Sequence, residues 1–315
     1  MLASAAVLVG AAAARHERAA DAAASSSAAS LVIPPLPSGA PVRETSPAPD
    51  DAEAGCSFPD RGSGDYAPAR ADGKAKLSLP ASLPVDDDGS FPLLVHFHGG
   101  EAVRREIEPE GLGLALATVD AGVGSGAYAK AFADAHAFAS IVEGAEEAVA
   151  EARKLPSARA WPILLSSWSA GYAAVGQVLA QKQRPINALV LLDSLYASYR
   201  PGSREVDPER LGGFVAFARA AASGDGPAMF LVHSGVPTPS YASTGEVASW
   251  LLGVLALDTT PATARPDAPF APTRVVDAGR LHVRGYTAGD RDGHCAALRF
   301  LKSALRDDVL PVVGR

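Results

Sequence analysis

Small residues surround a serine in the sequence Ser-Trp-Ser-Ala-Gly, residues 167–171. A serine can attack a carbonyl carbon when a sharp strand-to-helix turn presents its hydroxyl, and small neighbours allow that turn. The usual pattern has glycine at the first position, where this chain has Ser167. The pentapeptide predicts either a nucleophilic Ser169, with the Ala170 amide as an oxyanion donor, or an ordinary turn of small residues.

A second motif, His-Phe-His-Gly-Gly at residues 96–100, ends a strongly apolar strand pattern. Many hydrolases take their second oxyanion donor from such a loop, and glycine lets a substrate approach the backbone closely. We therefore predict that Gly99 and Gly100 complete an oxyanion hole. His96 and His98 point the same way on a strand, but no partner at metal-ligand spacing accompanies them. We interpret His98 as a structural residue that supports the loop.

A general base must come from elsewhere in the chain, and His294 is the candidate. It lies in Gly-Asp-Arg-Asp-Gly-His-Cys, residues 289–295, between the last predicted strand and the last predicted helix. A loop at that position can reach back over the edge of a sheet. His233 and His282 fall inside predicted strands, and we interpret both as packed residues.

The acid that would orient the histidine is less regular. Asp193 ends the buried strand pattern that follows the serine turn, and a buried carboxylate needs a partner such as histidine. After the next predicted strand, no carboxylate occurs before Glu246. Asp193 is therefore the predicted acid, while Asp290, Asp292 and Glu246 remain alternatives. The structural alternative for Asp193 is an N-cap of a following helical turn.

Strand and helix patterns alternate from about residue 60, which predicts a mostly parallel α/β sheet covered by helices. We find no internal repeat and no second domain. The predicted strands lie within residues 74–80, 91–100, 112–125, 160–167, 186–194, 228–234 and 279–289. The predicted helices are residues 127–155 (one helix or a pair), 170–183, 208–223, 243–257 and 293–307.

The first 55 residues differ in composition from the rest. Residues 1–14 form an apolar run with the length of a signal-peptide core, although no basic residue precedes it. An Ala-rich tail or a misplaced start codon is the alternative. Residues 15–55 are rich in Ala and Ser and then in Pro, which is typical of a disordered linker. We expect an exported protein, periplasmic or secreted, or a cytoplasmic one if the first run is not a signal.

The strand–His-Gly, strand–serine–helix and late Gly-His motifs, in this order, resemble the α/β-hydrolase superfamily over about residues 70–307. The resemblance implies a mostly parallel central sheet with helices on both faces in a domain of residues 56–315. It also implies a Ser169–Asp193–His294 triad that cleaves an ester or amide through an acyl-enzyme. A non-catalytic protein of the same fold, which binds a ligand or partner, is the alternative.

Charge and composition limit the partners. The net charge is −7 and no basic run stands out, so nucleic acid is not expected. No apolar stretch reaches the about 18 residues of a membrane span. We expect a small-molecule substrate, no metal and no cofactor, no large cap domain, and leave the oligomeric state open. Trp168, Tyr128 and Tyr196 are candidates for lining the pocket, with core packing as the alternative.

The chain has two cysteines, Cys56 and Cys295. An even number in an exported protein permits one disulfide. Two free thiols, with Cys295 packed as a small apolar residue, are the slightly favoured alternative.

Overall fold

The computed structural model describes residues 56–72, 74–261 and 270–313. The predicted signal peptide (1–14) and linker (15–55) lie outside the described residues and stay predictions.

A single sheet organises the described residues. Its strands are β1 (Tyr66–Asp72), β2 (Ala75–Pro80), β3 (Ser90–Phe97), β4 (Ala115–Val119), β5 (Arg159–Trp168), β6 (Ala188–Leu192), β7 (Ala228–His233), β8 (Thr260–Pro261), β9 (Arg274–Ala278) and β10 (Leu281–Gly285). Their order across this ten-stranded sheet is β1-β2-β4-β3-β5-β6-β7-β10-β9-β8. Pairing is parallel from β4 to β10 in that order, and antiparallel at both ends.

Helices cover both faces of the sheet. They are α1 (Gly100–Ile107), α2 (Ser125–Ala131), α3 (Ala135–Arg153), α4 (Tyr172–Gln181), α5 (Gly212–Ala222), α6 (Thr244–Val254) and α7 (Arg291–Ser303), which continues into π-helical turns at Ala304–Val309. The buried side chains of α1 and α7 pack on one face, and those of α2 to α6 pack on the other. The predicted fold class, a mostly parallel sheet with helices on both faces, is confirmed.

The central strands are buried on both faces, as their uninterrupted apolar sequences predict. Every residue of β6 and β7 is buried. Each predicted strand and helix has a counterpart in the structure, and the predicted helical region 127–155 is the pair α2 and α3. The sequence analysis missed β1, β8, β9 and α1.

The carboxyl ends of the parallel strands lie along one edge of the sheet, where ligand sites of open α/β sheets form. His98, Ser169, Asp193 and Ser234 directly follow β3, β5, β6 and β7. The described connections between these strands are loops, single helices or the α2–α3 pair, and none of them holds a separate cap domain. No described helix combines the length and apolar character that crossing a membrane requires.

Candidate active site

Ser169 lies on a tight turn between β5 and α4. Its φ angle is 50°, in the left-handed region that few residues other than glycine adopt. Residues 169–171 form a single 3-10 turn, and a Cβ atom at Gly171 would overlap the Phe97 carbonyl oxygen at the end of β3. The motif therefore needs glycine at its fifth position, because the turn packs directly against the neighbouring strand. Strain of this kind concentrates at functional sites.

Ser167, at the first position of the motif, forms a hydrogen bond that a glycine could not. The Oγ atoms of Ser167 and Ser194 are 2.8 Å apart, and the Ser194 hydroxyl donates to the Ser169 carbonyl oxygen at 2.8 Å. Since a hydroxyl has one proton, Ser194 accepts from Ser167. All three serines are buried. This chain of bonds fixes the backbone of Ser169 to the residue that follows Asp193.

His294 and Asp193 lie together although they are 101 residues apart in the chain. The Nδ1 atom of His294 is 2.7 Å from Oδ2 of Asp193, and both side chains are buried. Asp193 has a φ angle of 46°, a second left-handed residue at the same edge of the sheet. The structure thus pairs the predicted base with the predicted acid.

Ser234, which the sequence analysis did not identify, completes the surroundings of the Asp193 carboxylate. Its amide donates to Oδ1 at 3.1 Å and its hydroxyl donates to Oδ2 at 2.5 Å. Burial favours the neutral acid, but the bonds and charge of His294 and the bonds from Ser234 outweigh it and hold the pKa of Asp193 below its ordinary value. An ionised carboxylate only accepts, so the nitrogen of His294 that faces Asp193, Nδ1, is the donor, and the neutral imidazole has its acceptor at Nε2.

Two buried polar atoms at this edge have no hydrogen-bond partner among the described residues. They are the Oγ atom of Ser169 and the Nε2 atom of His294. Buried polar atoms are almost always paired, so such an exception calls for an explanation. A hydroxyl donor and an imidazole acceptor are the kinds of group that a nucleophile and its general base require.

Trp168 and Tyr128 are both fully buried, as the core-packing alternative expects, and their role in lining a pocket stays a prediction. The indole ring of Trp168 stacks on the imidazole rings of His98 and His294, and Tyr128 contacts His98 from the side. Tyr196 is partly exposed, and its ring packs edge-on against Tyr172 and Tyr241. Tyr196 stays a candidate for the pocket wall.

Gly99 and Gly100 do not have the environment predicted for oxyanion donors. Their amides donate to Oδ1 of Asp120, at 3.0 and 3.2 Å, and Asp120 directly follows β4. An amide directed at Asp120 cannot point at a substrate oxygen at the same time. The structure therefore corrects this prediction, and the loop is held by a carboxylate that the sequence analysis missed. Ala170 follows Ser169 in the 3-10 turn, and the role of its amide as an oxyanion donor stays a prediction.

The alternative acids have other structural roles. Glu246 forms a capping box with Ser243 at the start of α6 and accepts hydrogen bonds from Tyr199. Asp290 caps α7 through the Gly293 amide, and Asp292 is exposed in the first turn of that helix. Their surroundings leave Asp193 as the carboxylate that contacts His294.

Both histidines of the second motif, His96 and His98, form hydrogen bonds with buried groups inside the protein. His96 contacts the Ser166 hydroxyl through Nδ1 and the His98 carbonyl through Nε2, and burial lowers its pKa to about 3. His98 bonds the Tyr128 hydroxyl at 2.9 Å, which agrees with the predicted supporting role. Within residues 56–72, 74–261 and 270–313, no group of three His, Cys, Asp or Glu side chains is arranged to hold a metal ion.

Cys56 and Cys295 form a disulfide, with 5.5 Å between their Cα atoms. The slightly favoured expectation of two free thiols is therefore wrong. The bridge attaches the first described residue to the residue after His294 in α7. The two cysteines are 239 residues apart in the chain. Their spacing in the sequence therefore does not show that they are close in space.

The architecture, a mostly parallel sheet with helices on both faces, agrees with the fold that the sequence resemblance implied. No protein-family profile matches the chain, and no curated protein matches its sequence. The chain is similar to the ester-hydrolase EH1AB1 from the metagenome of Lake Arreo, with 12% identity, a TM-score of 0.41, and coverage of 81% of this chain and 88% of that one.

Two further solved structures are similar over most of their length. LAE6, an alpha/beta hydrolase enzyme from the metagenome of Lake Arreo, is 13% identical with a TM-score of 0.43, and the match covers 82% of this chain and 84% of that one. The glucuronoyl esterase from Solibacter usitatus is 15% identical with a TM-score of 0.36, over 76% and 79% of the two chains. The function of this chain has to be inferred from its own side chains.

Proposed function

We propose that this protein is a serine hydrolase that cleaves an ester or amide of a small molecule through an acyl-enzyme, with Ser169, Asp193 and His294 as its triad. One observation carries the proposal. The paired Asp193–His294 side chains and the strained Ser169 turn lie at one edge of the sheet, and Ser169 Oγ and His294 Nε2, the two atoms that a triad needs, have no hydrogen-bond partner among the described residues.

The reaction follows from the protonation states at the site. His294 Nε2 takes the proton from Ser169 Oγ as that oxygen attacks the substrate carbonyl carbon, and the carbonyl electrons move to its oxygen. Asp193 stabilises the imidazolium that results, through the Nδ1 hydrogen bond. The Ala170 amide and the amino end of α4 face the developing negative charge.

Collapse of the tetrahedral intermediate expels the leaving group, which takes its proton from His294, and leaves Ser169 acylated. A water molecule then attacks the acyl carbon while His294 accepts its proton. The second collapse breaks the bond between the acyl carbon and Ser169 Oγ, which takes its proton back from His294, and releases a carboxylic acid. His294 thus acts as base and acid in turn, which requires its Nε2 to stay free of any structural partner.

A second candidate function, a binding protein of the same fold, is favoured by one observation. Ser169 has no exposed surface, so a substrate reaches its Oγ only after neighbouring side chains move. An enzyme differs from a binding protein once a reactive molecule has reached the site, because only the enzyme forms a covalent adduct on Ser169.

A fluorophosphonate probe tests the proposal, since it reacts with activated serines. The wild-type protein should be labelled at Ser169, and Ser169→Ala should not be labelled. Ser140→Ala, an exchange in α3 away from the site, serves as the matched control and should be labelled like the wild type. A wild-type protein that stays unlabelled after long exposure, while correctly folded, would favour the binding function.

The disulfide supports a proposed location outside the cytoplasm. Disulfides persist in oxidising compartments and are rare in the cytosol of most organisms. The Cys56–Cys295 bridge and the apolar run at residues 1–14 together favour export. Fractionation of cells that express the full chain tests this: a product found in the cytoplasm with its first residues intact would contradict it.

A further inference from the structure

Trp168 lies between two histidine rings at the carboxyl edge of the sheet. Its ring centroid is 5.6 Å from that of His98 and 5.0 Å from that of His294, with an interplanar angle of 25° in each case. The indole Nε1–H also donates to the carbonyl oxygen of His294 at 3.1 Å. Trp168 thus contacts both the imidazole ring and the backbone of the proposed base.

These contacts restrict a motion that Asp193 leaves open. A single hydrogen bond at Nδ1 fixes one atom of the imidazole ring, but the ring can still turn about that bond and carry Nε2 away from Ser169. A flat aromatic surface against the ring face opposes this rotation. Since Trp168 directly precedes Ser169, the same residue places the base relative to the nucleophile.

His98, the second histidine that stacks on Trp168, is itself held by neighbouring residues. His98 has a φ angle of 75°, and its Nδ1 atom bonds the Tyr128 hydroxyl at 2.9 Å. The rings of Tyr128 and His98 pack edge to face with 5.4 Å between centroids. A continuous series of contacts therefore leads from α2 through β3 and β5 to the base in α7.

We infer that Trp168 is a positioning residue for His294, and that His98 and Tyr128 hold Trp168 in place. The inference rests on the proposed function, because it assigns a role in the same reaction. A π face beside the imidazole also stabilises the positive charge that His294 acquires in the transition state. A bulky aromatic residue before the nucleophile is thereby part of the catalytic arrangement.

Two substitutions at Trp168 separate the ring from its N–H group. Trp168→Leu removes both contacts, and Trp168→Phe keeps a flat ring. With para-nitrophenyl acetate as the substrate, we expect Trp168→Leu to lower kcat about 10²-fold at unchanged KM, the scale of a misplaced catalytic group. Trp168→Phe should recover most of that loss. A kcat of Trp168→Leu within twofold of the wild type, or a Phe variant no better than the Leu variant, would overturn the inference.

A matched control distinguishes positioning from loss of stability. Phe138 is a buried aromatic residue of α3 on the opposite face from α7, so Phe138→Leu should lower Tm and leave kcat unchanged. If Phe138→Leu lowered kcat as much as Trp168→Leu at a similar Tm, Trp168 would be structural only. Tyr128→Phe, which removes the bond to His98, should lower kcat a few-fold and provides a reading if Trp168→Leu does not fold.

Labelling with the fluorophosphonate probe distinguishes a failure of the proposed hydrolase function from a failure of the proposed positioning role of Trp168. An unreactive wild-type protein would refute the hydrolase function itself. A reactive wild type with a Trp168→Leu variant that reacts at the same rate would refute only the positioning role. A reactive wild type and a slower Leu variant, with a faster Phe variant, is the expected result.

Discussion

His96 and His294 are both buried near the carboxyl edge of the sheet, yet their surroundings differ at one nitrogen. His96 Nε2 faces a carbonyl oxygen and must donate, so its Nδ1 accepts from Ser166, and both nitrogens are satisfied. His294 uses Nδ1 for Asp193 and has no partner at Nε2 among the described residues. The two imidazole side chains are chemically identical in isolation. In the structure, only His294 has a ring nitrogen that no hydrogen bond from the described residues occupies.

The difference shows how a structural histidine and a reactive one can be told apart. An unsatisfied buried nitrogen costs about 1–3 kcal/mol, so a fold retains one only where a compensating use exists. Burial alone does not identify that use, since His96 is the more deeply buried of the two. The informative feature is a buried histidine nitrogen that has no hydrogen-bond partner among the described residues.

The largest expected effect comes from exchanging each histidine for glutamine. His294→Gln removes the base, and we expect kcat for para-nitrophenyl acetate to fall about 10⁶-fold, as when one member of a serine triad is lost. His96→Gln should lower Tm and change kcat less than tenfold. A larger loss of activity in folded His96→Gln than in folded His294→Gln would contradict the distinction between the two histidines.

The acid provides the next largest effect. Asp193→Asn should lower kcat on the order of 10⁴-fold with the fold intact, because the amide no longer holds His294 in the required tautomer. Glu246→Gln, in the capping box of α6, is the control and should leave kcat nearly unchanged. The opposite ranking of the two variants would show that Asp193 is not the acid.

Loss of the disulfide should affect the region of His294 and not that of His96. The bridge spans 239 residues, and the chain-entropy treatment gives about 5 kcal/mol of stabilisation for such a loop, with smaller values common in practice. Urea unfolding with and without a reductant measures it. Cys56→Ser should match the reduced wild type and show no response to the reductant; an equal midpoint for all samples would contradict a stabilising bridge.

The smallest predicted effect is the pH dependence that His96 confers. Folded His96 stays neutral down to its pKa of about 3, whereas the unfolded residue takes up a proton near pH 6.5. The unfolded state therefore binds more protons in this window, so stability falls as the pH decreases from 6.5 towards 3. His96 should contribute about 1.4 kcal/mol per pH unit to that loss.

Urea unfolding between pH 7 and pH 4.5 measures this slope. His96→Gln should make the pH dependence shallower than in the wild type, even if its stability at pH 7 is lower. Ser140→Ala, an exchange of an exposed residue of α3 that does not titrate, should keep the wild-type slope. Equal slopes in the wild type and His96→Gln would show that His96 is protonated in the folded state.

Sequence patterns placed Ser169, Asp193 and His294 because each follows a strand or opens a helix, and parallel strands end at one edge. The same reasoning could not find Asp120 as the partner of the Gly99 and Gly100 amides. That contact joins the loops after β3 and β4, and no periodicity encodes which way an amide in a loop points. Only tertiary structure determines it.

Trp168 and the outer strands illustrate two other limits. A large aromatic residue beside a nucleophile fits a pocket wall and a packed stack equally well in sequence, and only the ring contacts decide. β1 was missed because Pro68 and a register shift interrupt its alternation. The disulfide was only the less favoured of two alternatives because its cysteines lie far apart in the chain, where spacing carries no information about their distance in space.

The hydrogen bonds of the Ser167 and Ser194 hydroxyls link the loop after β5 to the loop after β6. Ser194 is covalently adjacent to Asp193 and is bonded to the carbonyl of Ser169, so the loops after β5 and β6 shift together. A displacement that opens a path to the buried nucleophile therefore carries the acid along with it. Ser169 and Asp193 are therefore mechanically coupled through Ser194.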